Sequence, residues 1–306
     1  MISRPINYIF LEGPDLAGKT TFYEKIHKVT GYSWNIQDRS ALSMLVHAKY
    51  YGRDTFQAVE QLRSELYNLN NVTIILLPDW EETARRFNLR GDPIQNLASL
   101  KKLHDLFSEA AEELQHLPNV YVIRGNTDLY TIKHTISMLR HYETVQIREI
   151  QQNCLVACDS SKTNEVIGLN FTLHDDGNFS DVDDGDLLYD KEVDYYDDII
   201  TEIKEKIQKE MSGDNEYERK ETSASRRFIY ASDTCISLAH FLLRDDALDC
   251  KFFLRSSNVK DTVHYDLNFL KHLAAQVFRY FKCDRQGDYC KMEFVVGSGH
   301  VLLENK

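Results

Sequence analysis

Gly13, Gly18, Lys19 and Thr20, within residues 8–22 (YIFLEGPDLAGKTTF), match G-x-x-x-x-G-K-[ST] without a mismatch. No other feature restricts the possible folds as much. An apolar run at 8–11 precedes the loop and a helix-compatible stretch at 21–29 follows it, so the motif predicts a strand, a glycine-rich turn and a helix in series. Glycines let successive backbone N–H groups curl around phosphate oxygens, and the helix N-terminus adds the positive end of its dipole. In such a loop the lysine reaches the β- and γ-phosphates and the following hydroxyl ligates Mg²⁺. Gly13, Pro14, Asp15, Leu16, Ala17, Gly18, Lys19, Thr20 and Thr21 are therefore the expected contacts to a nucleoside triphosphate, with Thr20 on the metal.

The chain after the loop alternates. A short strand around 33–36 leads to Asp38-Arg39-Ser40, and a helical pattern runs over about 41–69, with Leu42, Leu45, Val46, Phe56, Val59, Leu62 and Leu66 at helical spacing. The β-branched run at 72–77 suits a strand buried on both faces, and Pro78 stops it. A charged stretch at 81–95, a helix at 98–117, a strand at 119–123 and a helix at 130–141 complete the series. Alternation of this kind predicts an α/β fold with a parallel sheet between helices, and ligands at the carboxyl ends of its strands.

Two polar clusters fall at such ends: Asp38-Arg39 after the second strand, and Arg85, Arg86, Arg90 and Asp92 (RRFNLRGDP) after the third. Phosphoryl transfer needs charge on the moving group cancelled, which arginines over the phosphates supply; a solvated basic helix start gives the same pattern. Glu12-Gly13-Pro14-Asp15 before the lysine, then Asp-Arg, then an arginine-rich segment ending Arg-Gly-Asp, together resemble the thymidylate kinase family over roughly residues 5–142. That resemblance implies a P-loop kinase using ATP and Mg²⁺. It implies that Asp15 contacts the acceptor's sugar, that Asp38 and Arg39 hold the acceptor, and that Arg85, Arg86 and Arg90 close over the donor phosphates. At about 140 residues the segment is shorter than usual for the family, which leaves the acceptor base open.

Composition sets wide bounds. The 306 residues carry a net charge of −12, but residues 175–198 hold eleven Asp or Glu against one Lys, so the rest of the chain is near −2. The absence of a basic stripe weighs against a protein whose main task is gripping duplex DNA. Asp181, Asp183, Asp184 and Gly185 do not complete a calcium loop. Cys154, Cys158, Cys235, Cys250, Cys283 and Cys290 form no C-x-x-C pair, so neither a disulfide framework nor a zinc site is expected. No apolar run is long enough to span a bilayer, the N-terminus has no signal-peptide core, and a cytoplasmic protein without membrane contact is the expectation.

Beyond residue 143 the composition changes: 146–158 is mixed, 166–173 has a strand pattern, 199–211 a charged helical one, and 212–225 reads as a linker. Residues 234–266 (TCISLAHFLLRDDALDCKFFLRSSNVKDTVHYD) resemble the C-terminal half of thymidylate synthase and the related pyrimidine hydroxymethylases. Cys235 stands twenty residues before Arg255-Ser256, the spacing of that family's nucleophile and phosphate-binding pair, and Phe241, Leu248 and Cys250 fall in register. The resemblance implies that Arg226-Arg227 reach the same phosphate across a homodimer interface, and that Asp266 occupies the base-reading position; a surface residue at a helix start is the plainer reading of Asp266. Gly299-His300-Val301 resembles the closing strand, whereas Leu302 stands where the family has a tyrosine and no folate site is evident. A relic or binding module is therefore expected there.

The expected organisation is a P-loop kinase domain at 1–142, a connecting region at 143–222 and a smaller, truncated α+β thymidylate synthase-like domain at 223–306. The expected activity is phosphoryl transfer from ATP to a pyrimidine deoxynucleotide. Rival readings are a kinase acting on 5-hydroxymethyluracil within DNA, a nucleotide sensor without turnover, and a working methylase in the second half.

Overall fold

The computed structural model describes residues 2–91, 95–161, 163–176, 179, 193–211, 228–244, 247–280 and 289–301. The chain forms two units: Ile6–Glu143 is one, and the residues before it join those from Thr144 onward in the other. A short strand, β1 (Ile2–Ser3), belongs to the second unit.

The first unit alternates β2 (Tyr8–Glu12), α1 (Lys19–Thr30), β3 (Ile36–Asp38), α2 (Ala41–Tyr51), α3 (Phe56–Leu66), β4 (Asn71–Leu77), α4 (Trp80–Arg90), α5 (Leu97–Leu114), β5 (Val120–Arg124) and α6 (Leu129–Glu143). Its four strands are all parallel, in the order β3-β2-β4-β5. Every residue of β4 is buried, as its β-branched run requires. Alternate β4 side chains feed two cores. Val72, Ile74 and Leu76 pack with Phe22 and Ile26 of α1 and Ile132, Ile136 and Leu139 of α6. Ile75 and Leu77 pack with Leu42 and Val46 of α2, Leu62 and Leu66 of α3, and Leu103 and Phe107 of α5. This is the expected parallel sheet between helices, and it directs all four strand ends to one side.

The helical pattern expected over 41–69 is two helices. Gly52, at φ +64°, caps α2 by donating its N–H to the Ala48 and Lys49 carbonyls, and the Asp54 carboxylate accepts from Phe56 N–H at 3.0 Å to start α3. The apolar spacing continued across the break because both helices bury the same face.

In the second unit α7 (Ile147–Asp159), β6 (Glu165–Asp175), α8 (Val193–Met211), β7 (Ile229–Ala231), β8 (Ile236–Arg244), β9 (Ala247–Asn258), α9 (Val263–Tyr280) and β10 (Tyr289–His300) form a six-stranded mixed sheet with packed helices. Its order is β1-β6-β10-β9-β8-β7. Among the described residues only β9 and β10 pair in parallel, with α9 as their crossover. Residues 144–175, expected to connect two domains, supply α7 and β6 of this unit. The mixed pattern at 146–158 is a helix whose Ile147, Ile150, Cys154, Ala157 and Cys158 are buried. Phe171 stacks on Phe294 at a centroid spacing of 5.0 Å, and Phe252 packs against Phe294 at 5.2 Å with its ring tilted 37°.

Candidate phosphate-binding site

The turn after β2 has backbone angles that few residues tolerate. Gly13 lies at φ +136°, and a Cβ there would stand 2.2 Å from the Leu76 carbonyl oxygen, so no other residue fits. Gly18 lies at φ +95°, and Leu16 takes φ +63° without being glycine. The Lys19 ammonium donates to the Gly13 carbonyl at 2.6 Å and to the Pro14 carbonyl at 2.9 Å, which holds the turn together from inside. Burial pulls this ammonium below the usual lysine value; Asp15 pulls it back up, and Arg39 adds to the drop. Ala17 is buried in the turn, while Thr20 and Thr21 lie exposed in the first turn of α1.

Across the mouth of the turn, Arg39 donates to Asp15 at 3.3 Å; the arginine side chain is 53% exposed and the aspartate 27%. Arg39 sits at φ +74°, and its N–H donates to the Leu11 carbonyl at 3.1 Å. Asp38 is exposed beside it, and its charge reaches Lys19. What fixes this geometry is Glu12, a fully buried carboxylate that accepts from Ser40 N–H, from Ser40 Oγ at 2.8 Å, from Ser43 N–H at 3.3 Å and from Ser43 Oγ. These bonds fasten the start of α2 to the end of β2. Burial raises the Glu12 carboxyl above its usual value, and the serine hydrogen bonds oppose the rise.

The three arginines of α4 separate. Arg86 donates to the Leu16 carbonyl at 2.9 Å, to Asn126 Oδ1 at 3.1 Å and to Glu82 at 2.8 Å. Arg85 points to Glu82 through two bonds of 2.7 and 2.8 Å, and Arg90 is exposed at the end of the helix. Glu82 is thereby held down to about 2, first by its bonds to Arg85 and then to Arg86. Only Arg86 of the three reaches the turn. Asp92 lies outside the described residues.

Several participants were not legible beforehand. Glu12 stands just before the glycine turn, but its role depends on Ser40 and Ser43, and these two serines soon after Asp38-Arg39 were the available signal. Asn126, on the loop after β5, carried no motif. His47 is half-buried on α2; burial lowers its imidazole below the usual histidine value, Asp15 opposes this, and Arg39 and Lys19 add to it. Its ring therefore lies within electrostatic reach of the same three side chains.

In the second unit, Arg255 N–H donates to the Cys235 carbonyl at 2.8 Å and its guanidinium to the Asp233 carbonyl at 2.7 Å, so β8 and β9 bring Cys235, exposed, beside Arg255. Ser256 follows, half-buried. Asp266 is not the surface residue of the plainer reading: it is buried in the first turn of α9 and accepts from Ser257 Oγ at 2.9 Å. Arg226, Arg227, Cys283 and Leu302 lie outside the described residues, as does most of the acidic segment. The five described cysteines are free, and burial pushes the Cys154 and Cys158 thiols up to about 12 and about 11. Among the described residues there is no cluster of three or more metal-ligating side chains, and no helix is long and apolar enough to cross a membrane.

No protein-family model matches the chain, and no curated protein matches it. Solved structures do. The YorR protein from Bacillus subtilis, in complex with phosphorylated GDP, is similar over 45% of this chain and 99% of its own, at 20% identity and a TM-score of 0.36. Deoxyadenosine kinase from M. mycoides with the products dCMP and dCDP is similar over 44% of this chain and 100% of its own, at 15% identity and a TM-score of 0.30. The same kinase with dCTP bound is similar over 44% and 99%, at 13% identity and a TM-score of 0.30.

Proposed function

We propose that the first unit transfers the γ-phosphoryl group of ATP to a pyrimidine deoxynucleotide, thymidylate or a modified relative. The observation that carries this is the Arg86 guanidinium on the Leu16 carbonyl, which puts a cation on the rim of a glycine turn already holding Lys19, with the Asp15–Arg39 pair opposite. The residues fit a triphosphate. Gly13 lets the turn pack against the Leu76 carbonyl, where any Cβ would clash, and the Gly13 and Pro14 carbonyls release Lys19 when phosphate oxygens compete for it. The exposed Thr20 hydroxyl would hold Mg²⁺, which when bound screens the phosphate charge.

In the reaction an oxygen of the acceptor's phosphate forms a bond to the γ-phosphorus. The bond from that phosphorus to the bridging oxygen breaks, and its electron pair leaves with ADP. Arg39 orients the acceptor phosphate, Asp15 engages its sugar, and Lys19 and Arg86 cancel charge on the transferred group. Arg85 rests on Glu82 and Arg90 is exposed at the end of α4, so both contribute less than Arg86.

For the second unit the supporting observation is the Cys235–Arg255 pairing. With Ser256 and Asp266 nearby in sequence, it fits a module that holds a pyrimidine nucleotide or joins two copies of the chain.

The test supplies radiolabelled ATP with thymidylate, dCMP, dUMP or DNA containing 5-hydroxymethyluracil. Label on thymidylate is the expected result. Label only on the DNA moves the acceptor to the polymer, and ATP binding without transfer to any acceptor leaves a sensor and ends the kinase reading.

A further inference from the structure

Helix α2 carries a stripe that the phosphate chemistry does not use. Ser43, His47 and Tyr51 are four residues apart and share one face. One end of the stripe is fixed, since Ser43 is held on the Glu12 carboxylate where β2 enters the glycine turn. Each step onward is just over one helical turn, so Tyr51 stands about 12 Å along the axis from Ser43. His47, in the middle, is within reach of the Asp15, Arg39 and Lys19 charges. Tyr51, at the far end, is 53% exposed. The two rings lie within 20° of parallel with centroids 6.4 Å apart, and the Arg53 guanidinium sits 4.9 Å from the centre of the Tyr51 ring. An exposed aromatic ring steadied by a cation contributes little to a core. It is well suited to receive a planar heterocycle.

We propose that this face of α2 is the wall against which the acceptor's nucleoside lies, with His47 hydrogen-bonding its sugar and Tyr51 stacking on its base. The inference rests on the kinase reading and adds to it the residues that recognise the acceptor beyond its phosphate. The order along the protein matches the order along a nucleotide: Arg39 at the phosphate end, His47 one turn past Ser43, Tyr51 a further turn out. An acceptor lacking a flat base would lose the outer contact. One lacking a sugar hydroxyl would lose the middle one.

The test is equilibrium binding of thymidylate and, separately, of ATP to the full chain by titration calorimetry, so that no turnover is required. His47→Ala is expected to weaken thymidylate about tenfold, one hydrogen bond's worth, and Tyr51→Ala about ten- to thirtyfold. His47→Gln, which keeps a donor at similar reach, should return to within about threefold of the parent. ATP affinity should not move in any of them. Thymidylate binding unchanged in both alanine variants overturns the wall while leaving the kinase reading intact. Equal losses for ATP and thymidylate also overturn it, because a wall for the acceptor does not serve the donor. A parent chain that binds ATP but no thymidylate strikes the acceptor reading itself, and the wall falls with it.

Discussion

The two sheets of this chain gather polar residues in different ways. In the first unit all four strands run parallel, so the ends of β2, β3, β4 and β5 open on one side, and side chains from positions as distant as Asp15, Arg39, Arg86 and Asn126 meet around one turn. Among the described residues of the second unit only β9 and β10 are parallel, and Cys235 meets Arg255 because β8 lies beside β9. Parallel topology therefore concentrates chemistry that sequence scatters around one turn, whereas the mixed sheet brings polar residues together in separate places, by strand pairing at Cys235 and Arg255 and by helix packing at Ser257 and Asp266. The first arrangement suits a reaction that needs charge from several directions at once.

The sharpest way to break that contrast is Lys19→Ala. If the convergent site acts on phosphates, kcat for thymidylate phosphorylation should fall about 10³-fold or more, equivalent to roughly 4 kcal/mol of barrier. An initial-rate assay with saturating ATP measures it, and a rate within tenfold of the parent removes the basis for the whole site. Next in size is the separation of neighbours on α4. Arg86→Ala should cost about 10²-fold in kcat/KM, since its guanidinium already lies on the turn. Arg85→Ala, whose side chain turns to Glu82, should cost less than about tenfold. Equal losses would show that α4 rearranges enough on substrate binding to make the present difference irrelevant.

A third comparison uses one glycine from each unit. A Cβ at Gly13 meets the Leu76 carbonyl oxygen at 2.2 Å, and one at Gly297 meets the Arg255 carbonyl oxygen at 2.8 Å. Both obstacles are backbone, so each alanine substitution should destabilise its own unit by about 1–3 kcal/mol, with Gly13→Ala at the upper end because its φ is also unfavourable. Hydrogen exchange resolved by segment would show faster exchange in β2 and β4 for the first variant and in β9 and β10 for the second. Loss of protection in both units from either substitution would mean that they do not unfold separately.

Much of the first unit was legible because its signals are local. The glycine turn, the apolar run of β4 and the spacing of α5 each depend on residues close in sequence, whereas Gly52 divides α2 from α3 while the apolar spacing runs on across it. What was not legible depends on distance. Glu12 reads as an unremarkable acid before a glycine until Ser40 and Ser43 are folded onto it. Arg85 and Arg86 are identical in type, and only the helix phase decides which one faces the turn. Asp266 looked like a solvated helix start because aspartate favours that position, yet the Ser257 hydroxyl and the packing around α9 bury it. In α7 the spacing of Ile147, Ile150, Cys154 and Cys158 was present in the sequence, but the polar residues between them masked it.

The smallest predicted effect concerns Glu82, which decides where two of the three α4 arginines point. Its folded value, held down to about 2, lies below the ordinary glutamate value of 4.5. The ion pair therefore adds stability above the ordinary value and loses it as pH falls toward the depressed one. Glu82→Gln should lower the melting temperature slightly at neutral pH, and the gap to the parent should narrow steadily as pH is taken from about 5 toward about 2. The same substitution releases Arg85 from its partner, so activity at neutral pH should change by no more than about twofold in either direction. A melting difference that stays constant over this pH range would show that Glu82 acts by packing rather than by charge. Arg86 would then owe its place on the turn to Leu16 and Asn126 alone.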